Sequence, residues 1–285
     1  MAISIVDDQR VPEPHPRTAR PRRYLLCPPV FFDVVYSINP WMNPRSFVDP
    51  TRAMRQWEVL VDLYRSLGHT VELVEPAPGL PDMVFAANSA LVVDGRVLLS
   101  RFRHRERRDE ERPYREWFAR HGYTEARPAT HVSEGEGDFT VMGSVVLGGW
   151  GIRTAEETLR EVQEMFGRPV IGLRLVDARY YHLDTALVAL DDETIAYYPP
   201  AFSPGSRHAL EGKFPDAIRV AGPDARVLGL NAVSDGYHVV LPAAATGLAA
   251  QVRARGFEPV PVDVSELLKA GGGVKCCTLE LRGGN

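Results

Sequence analysis

The residues able to do chemistry fall into four short clusters. In the first, Gly271-Gly272-Gly273-Val274-Lys275-Cys276-Cys277-Thr278-Leu279-Glu280-Leu281, a triple-glycine loop runs into two adjacent cysteines and then an alternating stretch. Glycines let a backbone approach a ligand closely, so a thiol directly after them is presented where little shields it. The bland alternative is an inert strand cysteine, since free cysteine is among the most buried residue types. The second cluster, Tyr180-Tyr181-His182-Leu183-Asp184-Thr185, reads as the entry to a strand, where alternation puts His182 and Asp184 on one face. The third, Glu134-Gly135-Glu136-Gly137-Asp138, holds three carboxylates that repel one another unless a cation lies nearby; a solvated acidic loop fits it as well. The fourth, Asp82-Met83-Val84-Phe85-Ala86-Ala87-Asn88, is either a polar turn or the edge of a site. Together they supply a thiol, an imidazole with acid partners, and carboxylates able to hold a cationic substrate. A thiolate needs a positive neighbour to form, and a histidine can hand a proton to the leaving group, so the set is coherent for cysteine attack on an electron-poor carbon.

Composition narrows the setting. The 285 residues are 45% hydrophobic and 25% charged with a net charge of −4, which describes an ordinary soluble protein and argues against a general nucleic-acid binder. No apolar run reaches the roughly 18 residues a membrane span needs, and the opening residues lack a signal layout, so a cytoplasmic protein is expected. Three cysteines, two of them vicinal, suit reduced thiols rather than a disulfide scaffold. No grouping has zinc-like spacing, and neither GxGxxG nor a P-loop is present, so neither a metal nor another cofactor is expected.

Residues 1–22 are rich in Pro and Arg and read as a flexible tail before a single catalytic domain at 23–285. A strand is expected at 24–27, then a loop holding Ile38-Asn39-Pro40-Trp41-Met42. A helix is expected at 50–67, with Asp49 as N-cap, Pro50 at its first position and Gly68 past its end, because Met54, Trp57, Val61, Tyr64 and Leu67 recur at helical spacing. A strand at 70–74 and a hairpin at 92–99 turning on Asp94-Gly95 follow. Further strands are expected at 141–147, 170–175, 186–190, 195–198, 227–229 and 238–241, and helices at 108–120, 155–166, 206–213, 243–255 and 264–268. This mixture implies mixed sheets in an α/β protein, and no internal repeat is evident.

In order and spacing, Asp82 with Phe85, the Glu-Gly-Glu-Gly-Asp loop, His182-Leu183-Asp184-Thr185 and the Gly-Gly-Val-Lys-Cys segment resemble the guanidine-modifying amidinotransferase superfamily of arginine deiminases, dimethylargininases and glycine amidinotransferases. The resemblance runs from about Tyr24 to Leu281. It implies a five-bladed α/β-propeller (pentein-type) with an axial active site. It also implies Cys276 as nucleophile with Cys277 facing away, His182 as general acid and base, and Glu134 as its carboxylate partner, with Glu136 a competitor. Asp82 and Asp184 resemble the grips on the guanidinium nitrogens, and Arg107 and Arg153 the clamps on a substrate carboxylate. Asn88 stands where deiminases and dimethylargininases carry aspartate. With Asn39 and its loop, which would help seat the substrate, Asn88 resembles the arginine dihydrolase branch, which takes arginine to ornithine, carbon dioxide and two ammonia. The partner so implied is a small guanidine, with no nucleic acid or membrane, in a possible homo-oligomer. Citrulline-forming hydrolysis of arginine or methylated arginine, amidino transfer, and a silent arginine-binding protein are the alternatives.

Overall fold

Strands of two to six residues are too short to form one continuous sheet, and in the computed structural model, which describes residues 17–283, they group into five three-stranded sheets. The first is built on β1 (Arg23–Leu26), which pairs in parallel with β2 (Thr70–Leu73) after the chain crosses through α1 (Pro50–Ser66). The second holds the hairpin of β3 (Ala90–Val93) and β4 (Arg96–Leu99), then α2 (Glu111–Arg120) and β5 (Ala126–Pro128), parallel to β4. The third repeats this with β6 (Phe139–Met142), β7 (Val145–Trp150), α3 (Glu157–Phe166) and β8 (Val170–Arg174). The fourth has β9 (Leu187–Ala189), β10 (Ile195–Tyr197), α4 (Pro204–Lys213) and β11 (Ile218–Arg219). After a single helical turn, α5 (Gly222–Ala225), the fifth has β12 (Val233–Ser234), β13 (His238–Pro242), α6 (Thr246–Ala254) and β14 (Glu258–Val262). Finally β15 (Leu279–Glu280) returns to pair antiparallel with β1 and completes the first sheet. Each sheet is thus one ββαβ unit with an antiparallel and a parallel pair, the first made from both ends of the domain.

The core sits between the blades. Five hydrophobic clusters each join two neighbouring sheets: Tyr24 and Trp57 meet Val240 and Val262, Leu25 and Leu279 meet Val92 and Trp117, Leu91 and Leu98 meet Phe139 and Val146, Leu147 and Leu173 meet Leu187 and Tyr197, and Leu190 and Ala196 meet Val239 and Leu241. Sheets packed pairwise around a ring form the expected five-bladed α/β-propeller.

Local signals account for the best-defined elements. Asp49 caps α1 by accepting from Arg52 N at 3.0 Å, and Trp57, Leu60, Val61 and Tyr64 form its buried face. Asp94 and Gly95 both have positive φ, 52° and 76°, as the two-residue hairpin turn demands.

Other expectations are corrected. The single strand expected at 141–147 is a hairpin, β6 and β7, which turns at Gly143 with φ of 52°. No strand forms at 227–229: Asp224 O accepts from Val227 N and Gly229 N, so the helical turn begun at α5 continues, and Leu228 takes φ of 52°. The helix expected at 108–120 opens as a 3-10 segment, Arg105–Glu110, and that expected at 264–268 is a 3-10 turn, Leu267–Ala270. The repeat, absent to the eye in the sequence, is the organising feature of the fold.

Of the expected tail, residues 1–16 lie outside the described residues. Arg17–Arg22 run along the body, with Arg20 N donating to Asp235 O at 2.9 Å, Arg20 paired with Asp192 and Arg17 paired with Asp191. No helix among the described residues is long and apolar enough to cross a membrane.

Candidate active site

Wherever a blade begins, the turn just ahead of its first strand carries polar side chains toward the axis. Asp82 and Asn88 lie in two successive 3-10 turns, Pro81–Val84 and Ala86–Ser89, before β3. Glu134 and Asp138 flank the 3-10 turn Gly135–Gly137 before β6. His182 and Asp184 belong to the turn Leu183–Thr185 before β9. Cys276 stands three residues before β15, in a helical turn where Cys277 N donates to Gly273 O at 3.2 Å. The placement of His182 and Asp184 by strand alternation is therefore corrected: a 3-10 turn, not a pleat, sets their directions. The glycines between the carboxylates have a steric reason. A Cβ on Gly135, at φ of 56°, would lie 2.5 Å from Ala90 O, and one on Gly137 would lie 2.2 Å from Asn88 Nδ2 and 3.2 Å from His182 Nδ1.

The imidazole of His182 is held at both ends. Nδ1 lies 2.9 Å from Asp138 Oδ2 and Nε2 lies 3.2 Å from Glu134 Oε2. Burial alone would push His182 down, but Asp138 and Glu134 together outweigh it and hold the ring at about 9. Burial likewise works against ionised Glu134, yet Arg153 Nη1, donating at 2.8 Å, and His182 keep that carboxyl far below its usual range. Asp138 Oδ2 also accepts from Thr154 Oγ1 and its Oδ1 from Leu183 N, so the acid that fixes the imidazole is itself fixed. Glu136 points elsewhere: its Oε2 accepts from Lys275 Nζ at 2.5 Å and Glu280 N at 2.9 Å, and its Oε1 pairs with Arg282. Of the two competing glutamates, Glu134 is the one at the histidine.

Cys276, 2% exposed, has its Sγ 3.3 Å from Asp184 Oδ2 and 3.0 Å from Asn231 Nδ2. Burial, and then the charge of Asp184, push the thiol well above its ordinary value. Burial also lifts Asp184 to about 6 and raises Asp82. The resting site therefore pairs a neutral thiol with a charged imidazole. Among the described residues, the buried oxygens Asp82 Oδ1 and Asp184 Oδ1 have no hydrogen-bond partner. A buried acceptor left open in this way suits a ligand rich in N–H donors. Cys277 packs in the apolar cluster with Tyr64 and Val274, and burial raises its thiol to a non-nucleophilic state.

The remaining expected residues surround this set, and most are tied to protein partners. Arg107 forms a bidentate pair with Glu110 through Nε at 2.9 Å and Nη2 at 2.8 Å, and donates to Asn88 Oδ1 at 2.8 Å and Asp82 O at 3.1 Å. Arg153 bonds Glu134 and Ile38 O and lies over the Tyr181 ring. Asn39 accepts from Trp41 N and Met42 N and donates to Ala270 O. The Phe85 ring fills the space beside Gly272, where a Cβ would meet its Cε1 at 2.2 Å. Segment 36–42 bridges the blades: Tyr36 Oη donates to Asp82 at 2.9 Å, Trp41 Nε1 to Arg179 O at 2.7 Å, and Ile38 and Asn39 bond as above. Sequence reasoning missed Asp138 as the histidine's second acid, Glu110 as the partner of Arg107, and Tyr36 and Asn231. Asp138 lies within its motif and Glu110 only three residues beyond Arg107 in the same 3-10 segment; Tyr36 and Asn231 sit in segments with no pattern of their own, and the ring of blades brings them in.

A chain of this build is a hydrolase of guanidino groups within the guanidine-modifying amidinotransferase superfamily. It belongs to the N,N dimethylarginine dimethylhydrolase family, whose eukaryotic model matches residues 44–201. It is 54% identical to an N(G),N(G)-dimethylarginine dimethylaminohydrolase of Mycobacterium tuberculosis over 99% of this chain and 93% of that one. It is 37% identical to the bifunctional arginine dihydrolase/ornithine cyclodeaminase ArgZ of Synechocystis, covering 91% of this chain but only 37% of that longer protein. The crystal structure of the N-terminal domain of ArgZ from cyanobacteria, bound to substrate, superposes with a TM-score of 0.88 at 35% identity, covering 92% of this chain and 98% of that domain.

Proposed function

We propose that the chain is an arginine dihydrolase, converting free arginine and two waters to ornithine, carbon dioxide and two ammonia through a covalent intermediate on Cys276. The observation that carries the finer reading is the orientation of Asn88. Its Oδ1 accepts from Arg107 Nη1 at 2.8 Å, which turns Nδ2 toward the site, where its contacts are long: 3.4 Å to His182 Nε2 and 3.5 Å to Glu134 O. A loosely held neutral donor can bond the carbonyl of a ureido group, which an aspartate there would repel. The intermediate is thereby kept for a second round.

In this mechanism the guanidinium lies between Asp82 and Asp184, whose free oxygens accept its N–H groups. Its positive charge offsets Asp184 beside Sγ and lets Cys276 ionise. The thiolate attacks the guanidinium carbon, and His182, charged at rest, protonates the departing ammonia. Neutral His182 then takes a proton from water, which attacks the amidino carbon and expels the thiolate, leaving a ureido group. A second thiolate attack, on the ureido carbon, expels ornithine through its side-chain nitrogen, and water hydrolyses the carbamoyl-cysteine to carbamate, which breaks down to carbon dioxide and the second ammonia. Glu134 and Asp138 hold the imidazole, Arg153 and Arg107 hold Glu134 and Asn88 in turn, and Asn39 anchors segment 36–42 beside the site. No cofactor is required.

Dimethylarginine hydrolysis, stopping at citrulline, is favoured as a second reading by the name of the 54% identical mycobacterial relative. The test is to incubate the protein separately with arginine and with asymmetric dimethylarginine and to resolve the products. Ornithine with two ammonia per arginine supports the dihydrolase, and Asn88→Asp should then accumulate citrulline. Citrulline with dimethylamine from the methylated substrate, and no ornithine from arginine, replaces it with the second reading.

A further inference from the structure

Four of the five blades bring their leading turn to the axis with side chains already given roles. The fifth does so as well. Asn231 lies two residues ahead of β12, the same offset at which Asn88 precedes β3, and it is wholly buried. Its side chain meets Cys276 twice: Oδ1 accepts from the Cys276 backbone N–H at 3.1 Å, and Nδ2 lies 3.0 Å from Sγ. The backbone N–H can only donate, so it fixes which end of the amide is oxygen and leaves the NH2 facing the sulfur. The second Nδ2 hydrogen reaches Asp184 O at 3.3 Å, and Asn231 O accepts from Lys275 N at 3.3 Å. Gly273 makes room for this clamp, since a Cβ there would stand 3.0 Å from Asn231 Oδ1.

We propose that Asn231 is a catalytic group of the same reaction: it holds the Cys276 sulfur in the attacking direction and donates a hydrogen bond that favours its ionised form. Opposite it, Asp184 Oδ2 at 3.3 Å is an acceptor and favours the protonated thiol. The sulfur therefore sits between one group that holds its proton and one that stabilises its charge. A guanidinium that engages Asp184 removes the first influence and leaves the second. When Sγ bonds to carbon it loses its charge and the Asn231 bond weakens; when the thiolate is expelled the bond is restored. The donor thus favours both the free nucleophile and its departure.

This inference rests on Cys276 being the nucleophile, and the test separates the two. Alkylation by iodoacetamide is followed without substrate across pH, with the modified cysteine located by peptide mass spectrometry, in the wild type and in Asn231→Asp and Asn231→Ala. Asn231→Asp preserves the shape and the acceptor for the Cys276 N–H but replaces the donor with a negative charge, whereas Asn231→Ala removes the donor without adding one. The alkylation midpoint of Asn231→Asp is expected to rise by at least one pH unit, with at least a tenfold slower reaction at neutral pH and kcat lowered far more than KM is raised. Asn231→Ala is expected to shift in the same direction by less. An unchanged midpoint in a folded Asn231→Asp overturns the proposal while leaving Cys276 as nucleophile. Alkylation of the wild type at Cys27 or Cys277 in preference to Cys276 overturns both. Should the variants fail to fold, the side-chain amide resonance of Asn231 in the wild type must move with the ionisation of Cys276, and a resonance that ignores it refutes the role.

Discussion

Replacing Asp138 by asparagine should uncouple the charge of His182 from its position. Asparagine keeps an oxygen for Leu183 N, which Asp138 accepts at 3.1 Å, so the turn 183–185 retains its anchor. What disappears is the negative charge 2.9 Å from Nδ1. With both acids present the imidazole stands at about 9 against an ordinary 6.5, although burial pulls it down, and Asp138 is the strongest of the raising influences. Glu134 alone then faces burial, and the rise should be lost: a fall of about 2 units or more, or roughly 3 kcal/mol. The assay is an NMR titration of labelled histidine, with the His182 signal identified by its absence from His182→Gln, alongside the pH profile of kcat. The alkaline limb should move from about 9 toward neutrality. Stability must follow with the same sign. A histidine raised on folding contributes fully below its unfolded value near 6.5 and loses that contribution as pH rises through about 9, so the wild type should lose on the order of 3 kcal/mol across that window and the variant little. A folded Asp138→Asn whose His182 titrates within half a pH unit of the wild type would mean that Asp138 does not hold the imidazole charged.

Glu136→Gln should destabilise the fold rather than stop the chemistry, because it leaves Lys275 and Arg282 without their buried partner; a loss of about 3–5 kcal/mol by denaturant melting is expected, with kcat affected less than in Glu134→Gln. If Glu136→Gln proves the more inactive of the two, the pairing of Glu134 with His182 is not the catalytic one. Gly272→Ala drives a Cβ to 2.2 Å from the Phe85 ring, and overpacking of about 1–3 kcal/mol should appear as a lower melting temperature. Trp41→Phe removes the 2.7 Å bond to Arg179 O, worth about 1 kcal/mol, and hydrogen exchange in segment 36–42 should quicken without a matching change in the blades.

The elements legible in the sequence are those specified by neighbours along the chain. The α1 helix carries its own cap, stripe and stop, and the 92–99 hairpin its own turn residues, so both stand where expected. β11 and β12 are two residues long, and β15 pairs with a strand more than 250 positions away, so no local pattern can announce them. The same brevity hides the repeat. Each blade is held by contacts with its neighbours across the clusters rather than by a recurrent motif, and the number of blades came from family resemblance, not from periodicity.

The site was legible to the extent that glycines mark it. Gly135, Gly137, Gly272 and Gly273 each leave space that a Cβ would occupy against a backbone or a side chain of the site, which is why the acidic and cysteine clusters stand out by eye. Asn231 has no such flag on its own segment; its steric trace lies on Gly273, in another blade. Nor could spacing assign Glu134 over Glu136, because a 3-10 turn between them sends the first to His182 and the second to Lys275. The charge state was equally beyond reach. Burial holds the thiol protonated, as an ordinary thiol is at neutral pH, while the two acids hold the imidazole charged, the reverse of what a histidine suggests alone. In the proposed mechanism a cation that offsets Asp184 favours ionisation of Cys276, so selectivity for guanidinium would lie in nucleophile activation as well as in binding.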